Sequence, residues 1–273
     1  MSSEFVVRFR SLDGLDLVGD LTVPDGSPSI GVVQVHGRGV TRHEAGFFDR
    51  MAAGLADAGA AALRFDVRGH GESGGTQEDL TVAGVLNDIR AAFAYLRQET
   101  GVERTALIGQ SFAGGISAYY AAKRPDEVAR LVMLCPRIDY KTRTIDSRPY
   151  WSDDYLDEAH ADALTEQGFL QYAPTFRHGR AFLNEVFWLQ PHTVLGDIQA
   201  PTLVVHGTAD TLVPIDTSIA AMPLLNAESQ LLKIEGAQHG FAVDDDPTYL
   251  DPQSRVWQAQ VIQAVTEWVT AEA

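Results

Sequence analysis

The chain has 273 residues and a formal net charge of −16 at pH 7, from 37 acidic against 21 basic side chains. That balance argues against nucleic acid and anionic membranes as partners, and no apolar run approaches the ~20 residues of a membrane helix. Cys135 is the only cysteine, which excludes an internal disulfide. Met1-Ser2-Ser3-Glu4 lacks a basic segment leading into an apolar one, so a cytoplasmic protein without a signal peptide is the simplest expectation.

Residues 5–10 and 15–23 alternate apolar and polar side chains around Asp13-Gly14, which predicts an antiparallel hairpin. Residues 30–35 form a continuous apolar run, suited to a strand buried on both faces, and end at His36-Gly37-Arg38-Gly39. Helical spacing follows over 47–58, with Gly59 as a C-cap. A strand over 61–65 leads to Asp66 and a glycine-punctuated loop, and residues 81–99 carry one apolar helical face.

The next stretch is the most informative. An apolar run over 104–108 stops at Gly109-Gln110-Ser111-Phe112-Ala113-Gly114-Gly115, and a helical pattern starts at once, reaching residue 124. Strand, sharp turn and helix with a serine at the apex describe a nucleophile elbow. The usual pattern is G-x-S-x-G; here Ala113 holds the last position and Gly114 follows. Neighbours of the serine must be small, and Gly109 and Gly115 meet that demand.

A strand over 129–134 comes next, and then the rhythm breaks. Residues 140–190 are charged and dense in aromatics, too many for a structureless loop in a compact domain. Short helices in an inserted cap are expected there, with a core made of residues 1–139 and 191–273. Strand and helix return with 202–206, 215–225, 230–234 and a closing helix over 253–269. The alternation predicts an α/β fold: a mostly parallel doubly wound sheet, an antiparallel N-terminal hairpin and a small cap. Ligands of such sheets gather at the carboxyl ends of the strands, where His36, Asp66 and Ser111 stand.

Two further loops carry chemistry-bearing residues: His206-Gly207-Thr208-Ala209-Asp210-Thr211-Leu212-Val213-Pro214, and Glu235-Gly236-Ala237-Gln238-His239-Gly240-Phe241. With Ser111, Asp210 and His239 each following a strand in that order, the chain resembles the α/β-hydrolase superfamily. The loops at His36 and Asp66 and the elbow support the resemblance, which covers all but the cap. Small bacterial cinnamoyl/feruloyl-esterase-like carboxylesterases are the most similar subgroup, with a compact cap between the sixth and seventh sheet strands.

The resemblance implies the following roles. Ser111 is the nucleophile, His239 the base and Asp210 the acid that fixes the imidazole tautomer. Asp139, just after the preceding strand, is a rival for the acid, whereas Asp66 and His70 resemble organisers of a structural turn. The oxyanion donors are the backbone N–H groups of Phe112 and Arg38. The Arg38 guanidinium is expected to pair with an acidic cap residue, or else to meet an acidic group of the substrate. Tyr140, Trp151, Phe176 and Trp188 are candidate walls of the substrate pocket. No metal and no cofactor is implied, since His160 and His178 lack ligand spacing with cysteine or carboxylate. The partner is a small-molecule ester of a small to medium, including aromatic, acyl group, cleaved through an acyl-enzyme. Thioesterase, acyltransferase and small-peptidase chemistry stay open on the same three residues, as does a non-enzymatic binding protein. The oligomeric state also stays open, a homodimer included.

Overall fold

The computed structural model describes residues 2–173 and 176–271. Strands β1 (Ser3–Arg10) and β2 (Asp16–Val23) form the expected hairpin, with Gly14 at φ 86° in its turn. The chain continues through β3 (Ile30–Val35), α1 (Phe47–Asp57), β4 (Ala60–Phe65), α2 (Val82–Thr100), β5 (Thr105–Gln110), α3 (Phe112–Lys123) and β6 (Arg130–Leu134). A different texture follows: short strands β7 (Trp151–Ser152) and β8 (Tyr155–Leu156), α4 (Glu158–Gln167), β9 (Phe169–Ala173), β10 (Phe176–Gly179) and α5 (Arg180–Glu185). Then come β11 (Thr202–Gly207), α6 (Asp216–Ala221), β12 (Ser229–Ile234) and α7 (Pro252–Thr270).

Eight strands make one sheet in the order β1-β2-β4-β3-β5-β6-β11-β12. β2 pairs antiparallel with β1 and β4, and every neighbour pair from β4 onward is parallel. Successive strand residues serve opposite faces. Val33 and Leu63 join one apolar core with Ile89 and Phe93 of α2 and Ile116 of α3. Val32 and Ala62 join the other, with Met51 and Leu55 of α1 and Val261 and Val265 of α7. Burial on both faces is why β3 to β6 read as predominantly apolar runs rather than alternating ones.

The stretch 140–190 differs from the helices expected of it. Two antiparallel strand pairs, β7 with β8 and β9 with β10, stand beside the helices. The first pair turns through Asp153 (φ 49°) and Asp154 (φ 69°). Positive φ at both central residues is the hairpin turn whose twist matches its strands, and Asp tolerates it without the glycine that would have signalled it in the sequence. Among the described residues no helix is long and apolar enough to cross a membrane.

One buried ion pair ties the first turn to α2. Arg68, after β4, donates through Nε to Asp88 Oδ2 at 2.9 Å and through Nη2 to Asp88 Oδ1 at 2.7 Å. Ser11 Oγ donates to the same carboxylate at 2.6 Å, and Asp88 is fully buried. Removing Asp88 would leave the buried Arg68 charge only the half-exposed Asp13, 2.8 Å from its Nη1, as a partner. Asp88→Ala should therefore cost about 3–5 kcal/mol of unfolding free energy, read as a lower urea midpoint with an unchanged slope; a midpoint within error of the parent would contradict it.

Candidate active site

Ser111 sits between β5 and α3 at φ 54°, ψ −118°, a conformation L-residues rarely adopt. The packing around it leaves no room for larger neighbours. A Cβ on Gly109 would lie 2.3 Å from Ser117 Oγ and 2.4 Å from the Ala113 carbonyl oxygen. One on Gly115 would lie 2.2 Å from the Arg137 carbonyl oxygen, and one on Gly114 2.8 Å from Pro136 Cβ. Ala113, the departure from the usual motif, is accommodated and buried.

The structure brings Ser111, His239 and Asp210 together across 128 and 29 residues of sequence. His239 Nε2 is 3.0 Å from Ser111 Oγ, and His239 Nδ1 is 2.7 Å from Asp210 Oδ2. Asp210 Oδ1 accepts the backbone N–H groups of Leu212 at 2.9 Å and Val213 at 2.8 Å. Burial alone would raise the Asp210 carboxyl, but hydrogen bonds from His206 and His239, the His239 charge and the Val213 N–H outweigh it and hold it below the usual carboxylate range.

His206 is a partner that the sequence reading left without a role. Its Nε2 lies 2.8 Å from the Val213 carbonyl oxygen and 3.3 Å from Asp210 Oδ2. A carbonyl only accepts, so Nε2 carries the proton and Nδ1 accepts from Ser218 Oγ at 2.7 Å. Full burial of the ring on β11 orients the carboxylate from behind. The rival acid, Asp139, is occupied elsewhere: it accepts from the Thr142 N–H at 3.0 Å and Thr142 Oγ1 at 2.7 Å.

The loop after β3 faces the serine. A Cβ on Gly37 would come within 3.4 Å of Ser111 Cβ. The N–H groups on either side of Arg38 are both engaged: Gly37 donates to Glu44 Oε1 at 2.7 Å, Gly39 to His70 Nε2 at 3.1 Å. His36 Nε2 accepts the Val67 N–H at 3.0 Å, which leaves its Nδ1–H for the Gly37 carbonyl oxygen at 2.7 Å. Both rings are therefore needed neutral. Burial and the neighbouring His70 depress His36 to about 4, and burial lowers His70 as well. Asp66 accepts from the Glu72 N–H of its own turn and from the N–H and guanidinium of Arg42 in the loop after β3. Phe112 opens α3, so its N–H has no acceptor within the helix.

A cavity of about 260 Å³ opens at Ser111, lined also by Arg38, Phe112, Arg137, Arg143 and Phe176. A second of about 270 Å³ adjoins it through Arg137, Arg143 and Leu212. Of the four expected wall residues only Phe176 lines the first cavity. Tyr140 is buried beneath it, donating its hydroxyl to the Phe112 carbonyl oxygen at 2.7 Å. Trp151 lines a separate acidic depression with Asp146, Asp153 and Asp154. Trp188 is 83% exposed. Aromatic density marks this segment without telling which rings face the serine and which hold the segment together.

Arg38 also departs from expectation. Its guanidinium meets no acidic residue among the described residues; it lies 4.0 Å from the Phe112 ring centroid, 4.5 Å from Phe182 and 4.7 Å from Phe176. His178 Nε2 accepts from its Nη1 at 2.5 Å.

One cluster of metal-ligating types occurs among the described residues: Cys135 Sγ, an Asp210 oxygen and a His239 nitrogen lie within 4.8 Å of one another. Burial and the adjacent Asp210 charge hold the Cys135 thiol strongly protonated, and both His239 nitrogens face Ser111 and Asp210, a poor donor set for a cation.

Known proteins share this architecture. The family model described as "Serine aminopeptidase, S33" matches residues 26–246, and the chain belongs to that family. A monoacylglycerol lipase of Mycolicibacterium smegmatis is 25% identical over 286 residues, spanning 96% of either chain. Lipase LipV of Mycobacterium tuberculosis is 34% identical over 140 residues, 50% of either chain. Among solved structures, Est1E from Butyrivibrio proteoclasticus with bound ferulic acid is similar over 97% of this chain and 100% of that one, with a TM-score of 0.78 and 22% identity. The fold is thus that of an α/β-hydrolase.

Glu44 gives the site a pH signature. It is 2% exposed, and burial pushes its carboxyl from 4.5 up to about 7, against the Gly37 N–H that favours the anion. A raised carboxyl stabilises the fold only while protonated. Its contribution is complete below about pH 4.5 and is lost as pH rises through 7. Glu44→Gln should remove that loss of about 3 kcal/mol. Urea melts at pH 5 and pH 8 should show the parent weakening with pH more steeply than the variant; parallel behaviour would refute the assignment.

Proposed function

We propose that this α/β-hydrolase cleaves carboxylic esters through an acyl-enzyme on Ser111. The hydrogen-bonded line from Ser111 Oγ through His239 to Asp210 carries the reading, since a serine hydroxyl needs a base within reach to attack a carbonyl. In the first half, Oγ bonds to the carbonyl carbon while His239 Nε2 takes the hydroxyl proton. The imidazolium then returns that proton to the leaving alcohol as the ester C–O bond breaks. Water repeats the sequence in reverse: it gives a proton to His239, adds to the acyl carbon and displaces Oγ, which is reprotonated. Asp210 supports the imidazolium in both halves, and His206 orients Asp210.

The oxyanion is assigned to the N–H groups of Phe112 and Arg38. Phe112 is at a helix N-terminus, and Arg38 is flanked by two N–H groups already bound. Such donors are worth about 3–4 kcal/mol each in the transition state. The relatives named lipase and the ferulic-acid-bound neighbour favour an ester over an amide as substrate. We assign residues 140–190 as the cap over this site, because Tyr172 and Phe176 from it line the cavity beside Ser111.

Ser111→Ala should retain the fold and lose turnover by on the order of 10⁴-fold or more. A fluorophosphonate probe should label the parent at Ser111 and spare the variant; equal labelling of both would sink the nucleophile assignment. Asp210→Asn and Asp139→Asn, compared on one ester, decide the acid. Asp210→Asn should be the crippled variant, and the opposite ranking would move the acid to the loop after β6.

A further inference from the structure

The acidic chain lines its candidate site with arginine. Arg38, Arg137 and Arg143 border the cavity at Ser111, and Arg148 stands behind them with its Cζ 4.0 Å from the Tyr172 ring centroid. Among the described residues none of these four has a carboxylate within ion-pair distance. The acids that could have served are spent elsewhere. Asp146 and Asp154 hold Lys141, Glu78 holds Arg177, and Asp139 caps the Thr142 turn. Within the Arg38 guanidinium, Nε and Nη2 are buried and without a hydrogen-bond partner. Buried guanidinium N–H groups left unmatched are costly, and mutual repulsion of the four charges adds to the cost.

The surroundings register the same excess of positive charge. Burial raises a phenol, yet at Tyr172 the neighbouring guanidinium groups of Arg143, Arg137 and Arg148 win and bring it down to about 8. Burial, then the charges of Arg38, Arg148 and Arg137, push His178 well below its ordinary range. No metal-like or carboxylate feature on the cavity wall offsets this. A cavity of about 260 Å³ with one nucleophile and several guanidinium groups that lack a carboxylate partner among the described residues is suited to take a small anion together with a carbonyl.

We propose that the substrate is an ester bearing an anionic oxygen group, carboxylate or phosphate, bound by Arg137 and Arg143 with Arg38 behind them while its ester carbonyl lies at Ser111. This rests on the ester-hydrolase reading and names its substrate class. Charge selects the substrate and rings shape the pocket: the guanidinium of Arg38 is held flat among Phe112, Phe176 and Phe182, so its orientation is fixed before an anion arrives.

The test compares matched pairs by proton release in a pH-stat. Monoethyl adipate is set against its neutral monoamide, and 4-acetoxyphenyl phosphate against 4-acetoxyphenol. At least one anionic member should exceed its neutral partner at least tenfold in kcat/KM at low salt, and the pair that does so tells carboxylate from phosphate. Raising ionic strength should shrink the ratio. Arg143→Gln and Arg137→Gln, checked for folding by circular dichroism, should each lower it about tenfold. Free adipate should compete with a neutral ester in the parent protein, and adipamide should not, a readout independent of any variant. Faster cleavage of both neutral members, or a ratio indifferent to both arginine variants and to salt, would overturn the anionic class and leave the ester reading standing. Failure to cleave any of the four would overturn both.

Discussion

The backbone of Ser111 is the constraint on which the rest of the structure depends. A residue at φ 54° between a strand and a helix is tolerated only because β5 and α3 are clamped around it. Its N–H donates to the Leu134 carbonyl oxygen of β6 at 2.8 Å, and its own carbonyl oxygen accepts from Gly114 at 3.0 Å and Arg137 at 2.9 Å. Those bonds consume the local polar groups and leave the Phe112 N–H and the side chain pointing away from the sheet. The glycines on either side are then obligatory for distance alone: Arg137, whose N–H donates to the Ser111 carbonyl oxygen, presents its own carbonyl oxygen where it would collide with any Cβ at Gly115.

Around that fixed point, neutral histidines act as two-ended connectors. His36 and His70 each accept an N–H from one loop and donate to a carbonyl of another, joining the loops after β3 and β4, and His206 joins the loop after β11 to α6 through Val213 and Ser218. A neutral imidazole is the side chain that offers one donor and one acceptor on a rigid ring, so each fixes the distance between two segments at the carboxyl ends of the strands. Charging any of them would replace an acceptor by a second donor facing an N–H or hydroxyl. The burial that disfavours the charged form at His36 is therefore part of what holds the loop after β3 in register with Ser111.

Much of this was legible in the sequence, for reasons that can be named. β3 to β6 are buried on both faces, and so they read as apolar runs; the elbow needs glycines, and so it carries a motif. Asp210 and His239 lay in loops with quotable patterns. His206 lay inside one of the same patterns and passed unread, since its role depends on Val213 folding back over it, a contact made by a loop rather than a periodicity. The 140–190 stretch was the least legible. Its β7–β8 turn uses Asp153 and Asp154 where a glycine would have announced it, and its aromatics divide between a buried tether, Tyr140, an exposed ring, Trp188, and a cavity wall, Phe176. All three are aromatic; the difference lies in which surface each meets.

Charge shows the same limit in sharper form. A net charge of −16 disfavours the approach of polyanions to the outer surface, where fields sum over the whole molecule. It says nothing about a cavity of a few hundred cubic ångströms, in which the nearest groups dominate because they lie well within a screening length. Arg38 comes from the loop after β3, and Arg137, Arg143 and Arg148 from the stretch after β6, where acidic residues lie among them in the sequence. Only the fold turns them toward one another, and assigns the acids between them to Lys141, Thr142 and Arg177 instead. An acidic exterior around a basic cavity also has a consequence for traffic. The outer field slows the approach of any anion, so the interior guanidinium groups must supply through short-range, paired hydrogen bonds what long-range steering cannot.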